Sequence, residues 1–439
     1  MKRIFSQYAY SNGPRDGCWW DETCDMQDHG TLQGSQNCDV AVIGGGFTGI
    51  SAALHLAQGG ASVVLLEAQR VGWGASGRNG GFCCLGGGKA SDAYLDRTFG
   101  RDGRLEWHQA EKASVELVDD LITTLNIDVD RHSAGETALG HRPRDAADLE
   151  SEAERIVENY GVTPTLLPKD QLAAHGIAGP FHAGLTTPIG FGLNPRKYLS
   201  GLHNAALEAG VRIFERSPAI EIAGNVVRTP GGRVSAERII LATNGYSSED
   251  VPPWMAARYM PSQSTVLITR PLTEDETQAQ GWTTDQMAYD TRHLLHYFRL
   301  LPDRRFLFGM RGGLKSSALS EQHARNSVAR DFRRMFPAWG GVKITHTWSG
   351  FVCLARNRLP FVGPVPGQPN VLAGFAYHGN GIAMGSFAGR VLSDLTQGRT
   401  PALYPDAIRK PATRFPFGQA RRVIMPPVYA ALHLQDLGA

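Results

Sequence analysis

The chain alternates between short apolar runs and stretches in which apolar residues recur every three or four positions. Residues 39–43 form a short apolar run typical of a buried parallel strand, and residues 62–66 form a second one. Between them, residues 47–58 carry apolar side chains at helical spacing and end at Gly59 and Gly60. The pattern therefore predicts a strand, a helix and a second, parallel strand at the start of the fold.

Three glycines separate the first strand from the helix in the spacing G-x-G-x-x-G, namely Gly44, Gly46 and Gly49. The first permits a tight turn, the second lets the backbone approach a pyrophosphate, and the third allows the helix to pack closely on the sheet. The second strand ends at Glu67. Its separation from Gly49 along the chain is close to the roughly 20 residues expected between the last glycine and a carboxylate that hydrogen-bonds a ribose diol. The unit predicts a dinucleotide site at a helix N-terminus, and the carboxylate disfavours NADP.

A loop of small residues, 72–81, follows the second strand with the sequence GWGASGRNGG. Its polar side chains are Ser76, Arg78 and Asn79. Small residues suit a backbone that lies against a large planar ligand, and the polar groups suit phosphates and ring heteroatoms. A flexible glycine-rich surface loop is the alternative interpretation.

Beyond residue 90 the strand–helix alternation is interrupted and later resumes. Helical stripes predict helices over 102–128 and 144–160, and apolar runs predict a strand at 264–269 and a hairpin of 294–301 and 305–310. The nucleotide-binding pattern resumes with a helix at 196–209, a strand at 211–214, a hairpin of 226–229 and 234–236, the segment 238–245, a strand at 371–375, a helix after residue 382 and a final helix to Leu437. We predict an N-terminal arm (1–37), a dinucleotide-binding domain (38–90, 194–255 and 348–439) and a substrate domain (91–193 and 256–347). Trp19 and Trp20 of the arm are expected to pack on the body of the protein, with partner binding as the alternative.

Composition excludes several classes of function. The 439 residues are 42% hydrophobic and 20% charged, and the net charge of +2 favours neither nucleic acid nor an anionic membrane as a partner. No apolar run is long enough to predict a membrane span, and the N-terminus lacks the apolar segment of a signal peptide, so we expect a cytoplasmic protein. The six cysteines and 14 histidines have no metal-ligand spacing, which predicts reduced thiols and no metal.

These motifs resemble those of the D-amino-acid-oxidase-like (DAO-like) superfamily of FAD oxidoreductases. In that superfamily a G-A-S-G-R-N-G-G loop follows the second strand, as residues 74–81 do here, and residues 348–363 match its W-x-G and apolar-Pro-apolar-apolar-Gly pattern. The order of motifs over 38–439 is similar to the gamma-glutamylputrescine oxidase group. The resemblance implies an α/β fold with a Rossmann-type FAD-binding domain and a second, α+β substrate domain built on an antiparallel sheet. It also implies that Gly379, Asn380 and Gly381 open a helix whose N-terminus stabilises negative charge on the reduced flavin.

Motifs and resemblance together assign residues to sites. Substrate contacts are expected from Phe82, His296, Arg299 and Arg311, with surface or structural roles as the alternative for the polar residues, and His378 and Tyr297 are candidates for catalysis. The residues expected next to FAD are Gly44, Gly46, Phe47, Thr48, Gly49, Glu67, Ala68, Gln69, Gly74, Ala75, Ser76, Arg78, Asn79, Gly80, Gly81, Ala219, Thr243, Asn244, Gly245, Gly379, Asn380, Gly381 and Ile382, with ordinary packing as the alternative for Ala219.

The chain departs from its relatives at two positions. Amino-acid-oxidising relatives carry an arginine two places after the glycine of W-x-G, where it binds the substrate carboxylate, and this chain has Val352. The cysteine that binds flavin covalently in sarcosine oxidases falls near Gly350 and not at Cys353. We therefore disfavour a simple α-amino acid as substrate and expect non-covalent FAD.

The resemblance implies an amine oxidoreductase that removes a hydride from the carbon beside nitrogen. The expected substrate is a small amine, gamma-glutamylputrescine-like or secondary, and the expected products are an aldehyde, ammonia or an amine, and hydrogen peroxide from O2. Three alternatives stay open: an amine or amino acid dehydrogenase with another electron acceptor, an FAD-bound subunit without turnover, and an NAD-dependent enzyme.

Overall fold

A computed structural model describes residues 1–437 of the chain. The helices within this range are α1 (Phe47–Gln58), α2 (Asp92–Thr124), α3 (Asp145–Tyr160), α4 (Pro195–Glu208), α5 (Glu274–Gln280), α6 (Ala318–Met335), α7 (Ala383–Thr396), α8 (Asp406–Arg409) and α9 (Met425–Leu437). The strands are β1 (Gly34–Ile43), β2 (Val63–Leu66), β3 (Phe82–Cys83), β4 (Glu136–Gly140), β5 (Thr165–Pro168), β6 (Ala183–Thr187), β7 (Phe191–Gly192), β8 (Arg212–Phe214), β9 (Glu221–Ala223), β10 (Val226–Thr229), β11 (Gly232–Leu241), β12 (Met260–Pro271), β13 (Met287–Asp290), β14 (His296–Leu300), β15 (Arg305–Arg311), β16 (Ile344–Leu354), β17 (Phe361–Pro364) and β18 (Val371–Phe375).

The first sheet has the strand order β17-β18-β11-β1-β2-β8, extended by the β9–β10 hairpin on β11. The pairs from β18 to β8 are parallel, and β17 is antiparallel to β18. β2 and the last four residues of β1 are fully buried, because α1, α4 and α7 cover one face of the sheet and a second apolar cluster covers the other. This is the Rossmann-type layer that the apolar runs and glycines predict.

The second sheet has the order β16-β12-β15-β14-β13-β4-β6-β5 and is antiparallel except between β4 and β13. One face packs on α6 through a cluster of aromatic side chains that includes Phe298, Phe308 and Phe332. The opposite face looks toward the carboxyl ends of the first sheet's parallel strands. The two sheets together confirm the predicted α/β class with an antiparallel second layer.

Several element boundaries differ from those predicted. β1 begins at Gly34 because its polar first half pairs with β11, which itself runs unbroken from the predicted hairpin strand into the following segment as far as Leu241. α2 begins at Asp92, capped by the Ser91 side chain, and changes direction at Gly100, whose φ is +75°. α6 was not predicted, since its mean composition is polar and its apolar stripe is narrow.

The N-terminal arm packs against both sheets. Trp20 is 1% exposed, contacts Trp348, and donates from its indole nitrogen to the Asn79 carbonyl at 2.8 Å. Arg15 is also buried and donates to the carbonyls of Gly72 and Trp73. The arm therefore holds the glycine-rich loop from outside.

Two further features concern the chain as a whole. None of the helices between residues 1 and 437 is both long and apolar enough to cross a bilayer. All six cysteines are free thiols, as expected, and Cys18, Cys83, Cys84 and Cys353 are buried.

Candidate active site

One cavity of about 890 Å³ lies between the two sheets. Its floor is the carboxyl edge of β1, β2 and β11 together with the glycine-rich loop, and its roof is the face of the second sheet. The turn before α7 closes one side. This edge is where open α/β sheets bind ligands, and the volume is at the upper end of the range of roughly 300–1,000 Å³ for small-molecule sites.

The glycine turn after β1 is built for close backbone approach. Gly44 has a φ of +112°, which favours glycine, and its N–H donates to the Leu66 carbonyl at 2.8 Å. A Cβ added at Gly49 would lie 1.8 Å from the Gly44 carbonyl oxygen, so only glycine lets α1 begin this close to the turn. The Ser76 hydroxyl accepts the Phe47 N–H at 3.0 Å and so joins the glycine-rich loop to the start of α1.

Glu67 lies at the end of β2 and lines the cavity. One of its carboxylate oxygens accepts the Gly45 N–H at 2.7 Å, and the other accepts the Gln69 N–H at 2.8 Å. Burial raises the pKa of this carboxyl, and the two backbone donors oppose that rise. Each oxygen keeps a second lone pair, so the carboxylate can still accept hydrogen bonds from a diol.

Arg78 is the central side chain of the glycine-rich loop and is 3% exposed. Its Nε donates to the Trp73 carbonyl at 3.0 Å, its Nη1 donates to the Ser349 carbonyl at 3.1 Å, and its guanidinium lies 4.3 Å from the Trp73 ring centroid. Its Nη2 is buried and has no hydrogen-bond partner within residues 1–437. Because a buried cationic donor without a partner is costly, this nitrogen fits a polar ligand in the cavity. Burial lowers the pKa of the guanidinium.

Asn79, next in the loop, has a different role. Its amide donates to the carbonyls of Ala75 and Ser76 and accepts the Gly81 N–H at 2.8 Å. The side chain therefore fixes the shape of the loop.

The turn before α7 presents backbone groups to the cavity. Ala376, His378 and Gly379 have φ angles of +69°, +52° and +114°, and none of the side chains that the structure describes caps the N-terminus of α7. The N–H groups at this end of the helix are therefore available to stabilise negative charge. Non-glycine residues in the left-handed region are concentrated at functional sites.

The geometry agrees with comparisons to known proteins. Residues 39–395 match the profile of the family described as FAD dependent oxidoreductase (DAO). The chain belongs to this family. A gamma-glutamylputrescine oxidoreductase from Escherichia coli (strain K12) is 32% identical over 408 residues, 92% of this chain and 93% of that protein. A glycine oxidase from Bacillus subtilis (strain 168) is 20% identical over 81% of this chain and 92% of its own length.

Solved structures have the same fold. A glycine oxidase from Geobacillus kaustophilus superposes with a TM-score of 0.70 at 18% identity, covering 85% of this chain and 98% of that chain. An L-proline dehydrogenase from P. horikoshii superposes with a TM-score of 0.66 at 18% identity, covering 85% and 96%.

FAD is the cofactor of this oxidoreductase family, and the cavity fits it: a backbone turn at α1, a carboxylate at β2, an unpartnered guanidinium nitrogen and an uncapped helix at α7 all face one space.

Three glycines expected beside FAD are absent from the lining, namely Gly49, Gly81 and Gly245. Gly49 and Gly81 serve close packing instead, since a Cβ at Gly81 would lie 2.1 Å from the Leu193 carbonyl oxygen. The other expected residues line the cavity, namely Gly44, Gly46, Phe47, Thr48, Glu67, Ala68, Gln69, Gly74, Ala75, Ser76, Arg78, Asn79, Gly80, Ala219, Thr243, Asn244, Gly379, Asn380, Gly381 and Ile382.

The two candidates for catalysis, His378 and Tyr297, also line the cavity. The His378 Nε2 accepts the Ala355 N–H at 3.2 Å, and burial with nearby cations lowers the pKa of the imidazole to about 3. His378 is therefore neutral at physiological pH, and its unprotonated nitrogen is already occupied. Tyr297 shares a hydrogen bond of 3.0 Å with Ser264, and burial raises the pKa of its phenol.

The four candidates for substrate contact divide into two pairs. Phe82 and Arg311 line the cavity. His296 and Arg299 do not, and the expectation that they contact substrate is corrected. His296 faces α6 and hydrogen-bonds Asp290 at 2.7 Å, while Arg299 is covered and donates to the Leu193 carbonyl at 2.7 Å.

Sequence reasoning missed several lining residues. Lys89 and Glu136 line the cavity from the loop before α2 and from β4, Tyr246 lines it from the segment after β11, and Phe351 lines it from β16. Tyr10 lines it from the arm and meets Tyr246 edge to face at 6.4 Å. Tyr246 directly follows the A-T-N-G segment and Phe351 directly follows the W-x-G pattern, so both could have been found there, whereas Tyr10, Lys89 and Glu136 lie outside any motif.

Arg78→Met is expected to weaken FAD binding about 10- to 100-fold, because hydrogen bonds to charged groups contribute roughly 1.5–3 kcal/mol. Titration of the apoprotein with FAD, followed by flavin fluorescence, measures the effect. Arg70→Met is the matched control, since Arg70 is an exposed arginine in the neighbouring turn that pairs with Asp28 at 3.5 Å. Equal affinity of the two variants would contradict the role given to Arg78.

Proposed function

We propose that this oxidoreductase oxidises the carbon–nitrogen bond of an amine, of the gamma-glutamylputrescine type or a secondary amine. The products are an aldehyde, ammonia or an amine, and hydrogen peroxide, with O2 as the electron acceptor. FAD, when bound, supplies the acceptor for the hydride removed from the carbon next to nitrogen.

The observation that carries the proposal is the continuity of the cavity. The FAD-binding edge of the first sheet and the polar face of the second sheet line a single space, so a small molecule under the second sheet shares that space with the cofactor. The similarity to a gamma-glutamylputrescine oxidoreductase over 92% of the chain supports an amine as the substrate.

The chain's own residues provide orientation and electrostatics. Arg78 and the N-terminus of α7 stabilise negative charge from two sides of the cavity, and Phe82 and Tyr297, whose rings meet edge to face at 5.6 Å, exclude water between them. Val352 in the lining offers no charge-assisted bond to a carboxylate next to the reacting nitrogen. This supports an amine over a simple α-amino acid.

The proposal includes non-covalent FAD and a cytoplasmic location. Gly350, where related sarcosine oxidases carry the flavin-linked cysteine, lines the cavity without a thiol. Burial raises the pKa of the nearby Cys353 thiol to about 12, so this thiol is a poor nucleophile. Six free thiols support a reducing compartment.

Anaerobic reduction of the bound flavin tests the proposal. Purified protein is mixed without oxygen with gamma-glutamylputrescine, with N-methyl amines and with amino acids, and the loss of the oxidised-flavin absorbance is followed. We expect rapid loss with an amine, slow or no loss with simple amino acids, and stoichiometric peroxide when air is admitted.

Each other outcome has a distinct meaning. Flavin reduced by an amine but not reoxidised by air would replace O2 with another acceptor and favour a dehydrogenase. Flavin that no amine reduces would overturn the proposal and favour an FAD-bound subunit without turnover.

A further inference from the structure

Several charged side chains line the cavity, and we call three of them, Lys89, Glu136 and Arg311, the charged trio. Lys89 comes from the loop between β3 and α2, Glu136 from β4, and Arg311 from the end of β15. Within residues 1–437 none of the three forms an ion pair of 4.0 Å or less. Charged groups in a cavity wall without an ion-pair partner are unusual, because removing a charge from water is costly unless it is paired.

Arg311 contacts the turn before α7, and burial together with the charges of Lys89 and Arg311 lowers the pKa of His378 in that turn. The Arg311 Nη2 donates to the His378 carbonyl at 3.0 Å and lies where a side chain at Gly379 would be, 2.2 Å from an added Cβ. Glu136 lines the cavity together with Cys84, whose sulfur lies 3.6 Å from the Asn380 amide nitrogen. A ligand bound by the trio is therefore next to the turn that faces the cofactor.

The three groups influence one another. Burial raises the pKa of Glu136 to about 7, and Lys89 and Arg311 oppose that rise. Burial and the charge of Arg311 lower the pKa of Lys89. With all three ionised the trio has two cations and one carboxylate, so a ligand that brings one carboxylate and one ammonium would give every charge a partner.

We infer that the charged trio is the subsite for an amino-acid head group, in which Lys89 and Arg311 bind the carboxylate and Glu136 binds the α-ammonium. This inference rests on the proposed function: the nitrogen that is oxidised is a second, distal amine of the same molecule. It also explains how a chain with Val352 in place of an arginine can accept a substrate that carries a carboxylate.

Four amides of putrescine that differ only in the head group test the inference. Gamma-glutamylputrescine carries both charges, glutarylputrescine only the carboxylate, 4-aminobutyrylputrescine only the ammonium, and butyrylputrescine neither. We expect kcat/KM of the holoenzyme to fall about tenfold or more for each charge removed.

Substitution of Lys89 and of Glu136 should each change the preference for a different charge of the substrate, which residues with a purely structural role would not do. Lys89→Met is expected to reduce the preference for glutaryl over butyryl at least tenfold, and Glu136→Gln the preference for 4-aminobutyryl over butyryl. Lys169→Met, an exposed lysine outside the cavity, is the matched control and should keep the wild-type preferences. Equal kcat/KM for all four amides, or loss by the same factor for all four in Lys89→Met, would overturn the inference.

A binding measurement separates this inference from the proposed function. Gamma-glutamylbutylamide and butyrylbutylamide lack the distal amine, and their binding is followed by the shift they cause in the visible spectrum of bound FAD. If no putrescine amide reduces the flavin but the gamma-glutamyl compound binds at least tenfold tighter in a Lys89-dependent manner, the function fails and the subsite stands. Equal binding of the two compounds overturns the subsite.

Discussion

Gly49→Ala is expected to purify with little bound FAD. Alanine is intrinsically favoured over glycine inside a helix by roughly 1 kcal/mol, so propensity alone would stabilise α1. The new Cβ, however, would lie 1.8 Å from the Gly44 carbonyl oxygen, a backbone atom that cannot rotate away. Helix and turn must therefore separate, and the backbone that approaches the cofactor moves with them. Overpacking costs about 1–3 kcal/mol, which corresponds to a loss of FAD affinity of up to about 100-fold.

FAD content per chain and titration of the apoprotein measure this effect. Gly341→Ala is the matched control, because a Cβ there meets nothing within 4 Å and its φ is outside the left-handed region. If Gly49→Ala folds normally and binds FAD with the wild-type affinity, the account of the glycine turn is wrong. An unfolded variant is separated from this case by far-ultraviolet circular dichroism. Gly46→Ala then tests the same turn, since a Cβ there meets only the Ser76 side chain, with the hydroxyl at 2.8 Å.

The first sheet and the cofactor turn could be predicted because their signals are local. Four consecutive apolar residues (40–43), three spaced glycines and an acid at the end of the next strand each constrain a few neighbouring positions. The first half of β1 could not be predicted, because residues 34–37 are polar or glycine and become a strand only by pairing with β11, nearly 200 residues later. Propensity carries no information about such a partner.

The substrate side was predicted less well, for a geometric reason. His296 and Tyr297 are adjacent on β14, and side chains that follow one another on a strand point to opposite faces. Only Tyr297 can face the cavity, and His296 lies on the side of α6. Arg299 shares the face of Tyr297 but is covered by two separate segments, one with His132 and one with Leu193, which no local pattern indicates.

The charged trio is non-local in the same sense. Its members come from a loop, from β4 and from the end of β15, and they line one cavity only because the fold brings this loop and the sheet order β15-β14-β13-β4 to the same space. A lone Glu in a five-residue strand or a Lys after three glycines is an ordinary surface residue in sequence. Their shared cavity is what gives them a common chemistry.

Trp20→Ala is expected to cost about 3–5 kcal/mol of stability and to release FAD at elevated temperature. The indole is 1% exposed and packs among Trp348, Val266 and Ile268 beneath the second sheet. Its nitrogen donates to the Asn79 carbonyl, so the substitution leaves a cavity and also frees the loop that carries Arg78. Trp20→Phe keeps most of the packing and loses the hydrogen bond, so its stability should lie between those of the wild type and Trp20→Ala.

Thermal unfolding in excess FAD measures the change, because bound cofactor adds to the stability of every variant by mass action. Trp19→Ala is the matched control: the neighbouring ring is half-buried and lies 4.0 Å from the Arg305 guanidinium, a contact worth about 0.5–1 kcal/mol at an exposed site. If Trp20→Ala unfolds at a clearly lower temperature than Trp19→Ala and loses its flavin first, the arm is part of the cofactor site. Equal unfolding midpoints for the two variants would show that the arm is only a surface segment. Removing a buried indole that holds the loop must cost more stability than removing an indole that only covers an arginine.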